Sequence, residues 1–195
     1  MSQQTLFPES LPEGFVYQPD FLQADEEADL LRAIVHEPFQ AMDYHGFKAL
    51  RRTVEFGLEY DFGSHKATPT RAFPDYILPV RDRAAAFAGI DPATLVEGMI
   101  IEYPPGAPIG WHRDAPQFGT VIGISLRHQA RMRFKPYNKA GEIVSVTLAP
   151  RSVYVLRGSV RWQWQHSIPP ADELRYSITF RTLRTQEKAQ EKRTA

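Results

Sequence analysis

With 195 residues, 43% hydrophobic and 24% charged, the sequence has the make-up of a globular domain; its sixteen prolines and twelve glycines are dispersed, which excludes a collagen-like or low-complexity chain. No apolar run approaches the ~18 residues of a membrane-spanning helix, no basic or apolar leader opens the chain, and the absence of cysteine excludes disulfides, thiolate metal sites and thiol nucleophiles, so a cytoplasmic protein is expected. The formal charge is zero, but residues 1–30 hold seven acids and no Lys or Arg, leaving 23 basic against 16 acidic residues beyond them; this is compatible with a polyanionic partner, or with a solvated helix start and scattered surface charge.

Residues 1–14 are polar and read as loose. Asp25–His36 reads as a helix: acids crowd its first turn, where the helix dipole favours them, and Leu30, Leu31, Ile34 and Val35 form one apolar face before Pro38. Asp43–Pro74 reads as an irregular, loop-rich stretch in which Tyr44, Phe47, Phe56, Tyr60 and Phe62 stand among basic residues. A second helix is expected over Tyr76–Ala88, stopped by Gly89. From there β-branched and aromatic runs alternate with turn residues: Val96–Tyr103, Thr120–Leu126, Arg131–Pro136, Glu142–Leu148, Val153–Leu156, Arg161–His166 and Leu174–Leu183. The pattern predicts an α+β, mainly β architecture, with N-terminal helices beside a small antiparallel double sheet and a polar tail over 185–195.

The segment Ile101–Asp114 carries His112 and Asp114 two apart, a spacing that puts both side chains on one face of an extended chain. His166 follows at the end of another strand-like run. Two imidazoles and a carboxylate are the ligand set of a facial triad, which leaves positions open on Fe(II) for a bidentate keto acid and dioxygen. The competing reading is a surface histidine beside an acid, with His166 unrelated. Arg175, Ser177, Thr179 and Arg181 share one face of the last run, opposite Tyr176, Ile178 and Phe180. Either the arginines face solvent, or they line the interior and require an anion such as a dicarboxylate, with Tyr103 placed to add a hydrogen bond. Trp162, Trp164 and His166 would share a face if their run is a strand.

The order His112-x-Asp114, His166, Arg175-x5-Arg181, from about Gly98 to Arg184, resembles the AlkB family of Fe(II)- and 2-oxoglutarate-dependent dioxygenases. The resemblance implies a double-stranded β-helix (jelly-roll) core over about 96–184 in a single domain spanning 1–184. It makes His112, Asp114 and His166 the catalytic iron ligands, and Tyr103, Arg175, Ser177 and Arg181 the 2-oxoglutarate site, Arg175 on the distal carboxylate and Arg181 near the keto-acid end. Two positions depart from the family's usual asparagines, Ile101 and Ser177.

The implied activity uses Fe(II), 2-oxoglutarate and O2 to demethylate or dealkylate N-alkylated nucleobases in DNA or RNA, releasing succinate, CO2 and aldehyde; the protein is expected to act as a monomer. Residues 43–74 occupy the region of the family's substrate-recognition lid, and Arg51, Phe56, Tyr60, Trp111 and Arg113 are the candidate substrate contacts. Phe56, Tyr60 and Phe62 could equally be core. The acid-free run of Arg127, His128, Arg131, Arg133, Lys135 and Lys139 could follow a nucleic-acid backbone. The alternatives are a hydroxylase or demethylase of a protein or small molecule, and a non-enzymatic metal-binding β module.

Overall fold

Strand β7 (Phe118–Leu126) is buried along its whole length, as a strand is when both faces of its sheet are covered. The computed structural model describes residues 11–44, 47–61 and 66–185, without the side chains of 42–48 and 59–67. In hydrogen-bonded order the large sheet runs β1 (Phe15–Gln18), β10 (Ser152–Leu156), β7, β12 (Arg175–Leu183), β5 (Leu95–Tyr103), β3 (Phe47–Asp61) and β2 (Gln40–Tyr44), and β4 (Lys66–Pro69) pairs with β3. The second sheet runs β6 (Ile109–His112), β11 (Trp164–Ile168), β8 (Ala130–Pro136) and β9 (Val144–Leu148). The strand pairs are antiparallel, and the two sheets form the jelly-roll core.

Helices cover one face of the large sheet. In α1 (Ala24–Ile34) Glu26 reaches back to accept from the Gln23 N–H at 2.7 Å, and the first-turn acids complement the dipole. Helix α2 (Leu78–Ala88) ends at Gly89, which takes the left-handed conformation of a helix stop (φ 68°). Leu30, Ile34, Ile77, Val80 and Ala84 pack there against Ile100, Ile122, Ile124, Ile178 and Phe180. The opposite face meets the second sheet through Val121, Tyr154 and Leu156, which pack with Met132, Phe134 and Leu148. Strand β12 lies between these layers, so its alternation is resolved: Tyr176, Ile178 and Phe180 join the helix layer, and Arg175, Ser177, Thr179 and Arg181 are buried in the interior.

Two expectations are corrected. Residues 43–74 are not a loop-rich stretch: β2, β3 and β4 fill much of the segment, and β3 extends the large sheet by pairing with β5 from Arg52↔Glu102 to Gly57↔Glu97. At Gly57 (φ 75°) β3 leaves β5 and continues against β4; a Cβ there would lie 2.2 Å from the Val96 carbonyl oxygen, so the crossing needs glycine. Backbone pairing with β5 makes this strand despite side chains too polar to announce it. The second correction follows: Phe56 is fully buried in the helix-side core, with the Arg71 guanidinium 5.1 Å from its ring centroid, and it does not face a substrate. The side chain of Tyr60, and His45, Phe62, His65 and residues 186–195, lie outside the described residues. No helix among the described residues is long and apolar enough to cross a membrane. Truncation of Phe56 to Ala should lower folding stability by about 3–5 kcal/mol, read as a lower urea midpoint, because it empties a packed core position.

Candidate metal and keto-acid site

Strands β6 and β11 pair so that His112 stands directly opposite His166, with ring centroids 4.2 Å apart. Asp114 follows β6 by two residues, and one ligand atom from each of the three side chains lies within 4.8 Å of the others. The His112 Nδ1–H donates to the Gly110 carbonyl at 2.9 Å, which leaves its Nε2 as the lone-pair nitrogen. Burial pushes both imidazoles towards the neutral, ligating form; for His166, burial and the neighbouring His112 lower the pKa to about 3. Burial alone would raise the Asp114 carboxyl, but Arg181, with His166, Arg161 and His112, outweighs it and holds Asp114 well below the usual carboxylate range.

Asp114 is fixed from both sides. Its Oδ1 accepts from Arg181 Nε at 3.0 Å, and Arg181 Nη1 donates to both oxygens of Glu97 at 2.6 and 2.7 Å. Glu97 sits directly across the ladder from Arg181 and is fully buried; burial pushes its carboxyl up, against the pull of Arg181. Arg181 is therefore engaged by the aspartate and by Glu97, its register partner of opposite charge, which places it beside the metal-ligand candidates. Arg161 holds the backbone behind Asp114, donating to the carbonyls of Ala115, Phe118 and Gly119 at 2.8–2.9 Å and of Asp114 at 3.3 Å. Arg161 lies in α3 (Gly158–Gln163), so the stretch read as a strand from Arg161 begins as a helix and Trp162 does not share a strand face with Trp164 and His166. Aromatic and β-branched composition mimics a strand here, whereas Val160 packing and the Arg161 contacts close a helical turn.

Arg175 stands opposite Tyr103 on β5, with its guanidinium 4.9 Å from the tyrosine ring centroid. Its Nε and Nη2 donate to Ser125 Oγ at 3.2 Å. Ser177, two residues on, is buried between Ile101 and Ser125 in the ladder. Among the buried side-chain atoms without a hydrogen-bond partner in the described residues are Asp114 Oδ2 and Arg175 Nη1. A buried acceptor beside two neutral imidazoles and a buried cationic donor further along the same interior are what Fe(II) and a carboxylate require, so the residues fit both groups. Among the substrate candidates, Arg51 lies close enough for its charge to depress His112. Trp111 alternates away from His112 and lies under Arg133 and Lys135, on the outer face and not in the cavity. Arg113 is exposed, stacked 3.6 Å from the Tyr137 ring centroid. Glu97, Ser125 and Arg161 were not singled out from sequence; a buried register partner to a motif arginine was the available signal for Glu97.

The sequence profile of the 2OG-Fe(II) oxygenase superfamily matches residues 14–181. The chain is 26% identical over 181 residues to the Arabidopsis thaliana "Alkylated DNA repair protein ALKBH8 homolog", covering 80% of this chain but 51% of that protein, so it spans about half the length of that relative. It is 30% identical over 159 residues to the Mus musculus "Alpha-ketoglutarate-dependent dioxygenase alkB homolog 7, mitochondrial", covering 78% and 66%. In fold it resembles OsALKBH1 (TM-score 0.69, 18% identity, 89% of this chain and 100% of that one) and a Trichoplax adhaerens prolyl hydroxylase (TM-score 0.65, 14% identity, 90% and 86%).

An unfolded His166 takes a proton near pH 6.5, whereas the folded one waits until about 3. Between these values the unfolded chain binds the extra proton, so stability of the metal-free protein falls as pH drops through that window. Asp114, whose folded carboxyl lies under its unfolded value of 3.8, adds a further loss only at lower pH. Urea midpoints of the metal-free protein should fall from about pH 7 to about pH 4.5, and His166→Gln should flatten the slope; the same slope in both proteins would show that His166 titrates normally.

Proposed function

Because the chain belongs to the 2OG-Fe(II) oxygenase superfamily and is AlkB-like within it, we propose that it removes alkyl groups oxidatively from nucleobases of a nucleic acid. It is a dioxygenase that uses Fe(II), 2-oxoglutarate and O2. The observation that carries the site assignment is the pair of partnerless buried atoms, Asp114 Oδ2 and Arg175 Nη1, on one interior. Bound iron, with dioxygen and the keto acid, supplies oxidation of a C–H bond as 2-oxoglutarate is converted to succinate and CO2, and an N-methyl group so oxidised is lost as formaldehyde.

The protein's share is placement. His112 and His166 present neutral nitrogens, and Asp114 presents Oδ2 while Arg181 occupies Oδ1. Arg175 directs Nη1 at the distal carboxylate, its other nitrogens held by Ser125 and its plane by Tyr103. Ser177 shares the face of Arg175, and the cluster of Ile101, Tyr103, Ala107 and Met99 excludes water beside it. Arg51 sets positive charge near His112, where a phosphate of the extruded nucleotide would be met. That one relative is named for alkylated DNA repair and another as a tRNA methyltransferase supports a nucleic acid as the substrate class.

Asp114→Ala should abolish succinate formation, since two imidazoles alone leave iron without its anionic ligand. Arg175→Ala should raise the Kd for 2-oxoglutarate about 10- to 100-fold, the equivalent of about 1.5–3 kcal/mol for a hydrogen bond to a charged group. Formaldehyde release from N-methylated single-stranded oligonucleotides, absent with unmethylated ones, is expected. Succinate formation that methylated DNA and RNA leave unstimulated, with no formaldehyde, would overturn the substrate assignment.

A further inference from the structure

Positive and negative charge are segregated over this molecule. The acids of the N-terminal region are consumed locally: Glu26 pairs with Arg83, Asp29 with Arg32, and Asp20 and Glu27 with Arg151. The outward face of the second sheet shows the reverse. On β8, Met132 and Phe134 point into the core while Arg131, Arg133 and Lys135 point out at alternate positions, about 7 Å apart along the strand. Among the described residues no carboxylate lies within ion-pair distance of Arg113, Arg131, Arg133, Lys135 or Arg184. Arg127 and His128 stand apart: the backbone of Arg127 is held by Glu27, and His128 faces Glu173 at 3.6 Å.

These cations are oriented without being neutralised. Arg131 Nε donates to Ser145 Oγ and Arg133 Nε to Ser167 Oγ, each at 3.1 Å, which leaves their terminal nitrogens for another acceptor. Arg133 and Lys135 lie 5.0 and 4.7 Å from the Trp111 ring centroid, Arg113 stacks on Tyr137, and Arg184 lies 4.4 Å from that of Trp162. A ring or a serine hydroxyl fixes a cationic head but keeps its charge and most of its donors; a carboxylate would cancel both. The belt is continuous: the Tyr137 N–H donates to the Gln163 carbonyl and Arg113 to the Trp162 carbonyl, which carries it from β8 to the rim beside Asp114.

We propose that this belt, the outward face of the second sheet and the adjoining rim, is a docking surface for the phosphate backbone of a single-stranded nucleic acid. Regularly spaced, un-neutralised cations interleaved with half-exposed aromatic rings match such a strand, which offers evenly repeated anions and stackable bases. The rim end borders the Asp114 segment, so a strand held along β8 would feed a nucleotide towards the interior. The assignment rests on nucleic acid being the substrate class, and it is tested by binding without turnover.

Fluorescence anisotropy would follow a labelled, unmodified single-stranded 12-mer on the whole 195-residue chain across a salt series. Each phosphate contact contributes about −0.7 to the slope of log affinity against log salt. Arg131→Gln/Arg133→Gln/Lys135→Gln should weaken binding at least tenfold at low salt and make the slope shallower by about 2. Arg32→Gln/Arg81→Gln, on the helical side, should leave both unchanged. If the triple variant fails to fold by circular dichroism, the single variants at exposed Arg131 and half-buried Lys135, Arg131→Gln and Lys135→Gln, should each remove about 0.7 of slope. An unchanged slope in the β8 variants, an equal change in the helical-side control, or binding to phosphatidylserine vesicles but not to the oligonucleotide would overturn the proposal. Loss of binding in the β8 variants would uphold it even if no methylated substrate is turned over.

Discussion

One buried line of charge, Glu97 to Arg181 to Asp114, decides what this interior can hold. A carboxylate taken out of water costs several kcal/mol unless paired at good geometry. Here the pairing is built into the ladder, because Glu97 and Arg181 are register partners on β5 and β12. Arg181 turns Nη1 to Glu97 and Nε and Nη2 to the same Asp114 oxygen, so Asp114 stays ionised with only Oδ1 committed and Oδ2 without a hydrogen bond. Were Glu97 absent, the Arg181 Nη1 donors it now holds would be left to turn to Asp114 and compete for the oxygen proposed to bind metal. With Arg175 and Arg161 the interior carries three cations against these two carboxylates, since the carbonyls that hold Arg161 satisfy its donors without cancelling its charge. A divalent iron and a doubly negative keto acid preserve that balance together, whereas either alone upsets it, so each favours the binding of the other.

Much of this was legible because chemistry and periodicity coincide in short segments. His112-x-Asp114 and the arginine face of β12 are period-two patterns, and such a pattern in extended chain determines a face, whether within β12 or, as at Asp114, just beyond the end of β6. What the pattern leaves open is which face is inside. That is settled by the helix layer, whose Ile34, Val80 and Ala84 take Ile178 and Phe180 and so turn Arg175 and Arg181 inward.

Where local pattern misled, a partner distant in sequence made the decision. Strand β3 is held by β5, so its sequence needed no apolar alternation to become a strand, and Phe56 went to the core with it. The turn Gly158–Gln163 has strand-like composition, but Arg161 reaches four carbonyls around Asp114 only when that segment is helical. Trp111 neighbours His112 in sequence and, for that reason, lies on the opposite face. Glu97 and Ser125 are invisible without the register, since neither belongs to a motif and each acts through an arginine on β12.

The same reasoning accounts for Ile101 and Ser177, which stand where the AlkB pattern carries amides. Arg175 needs its plane and its reach fixed, and both are supplied from elsewhere: Ser125 accepts from two of its nitrogens and the Tyr103 ring lies against the guanidinium. The remaining Nη1 is buried and unbonded, so the proposed anchor is already desolvated before any carboxylate arrives. Ile101 then packs with Tyr103 and Ala107 in place of an amide, which makes the surroundings of that single donor drier. A charge-assisted hydrogen bond strengthens as the local dielectric falls, so an apolar neighbour can return in field strength what the missing amides would have given in number.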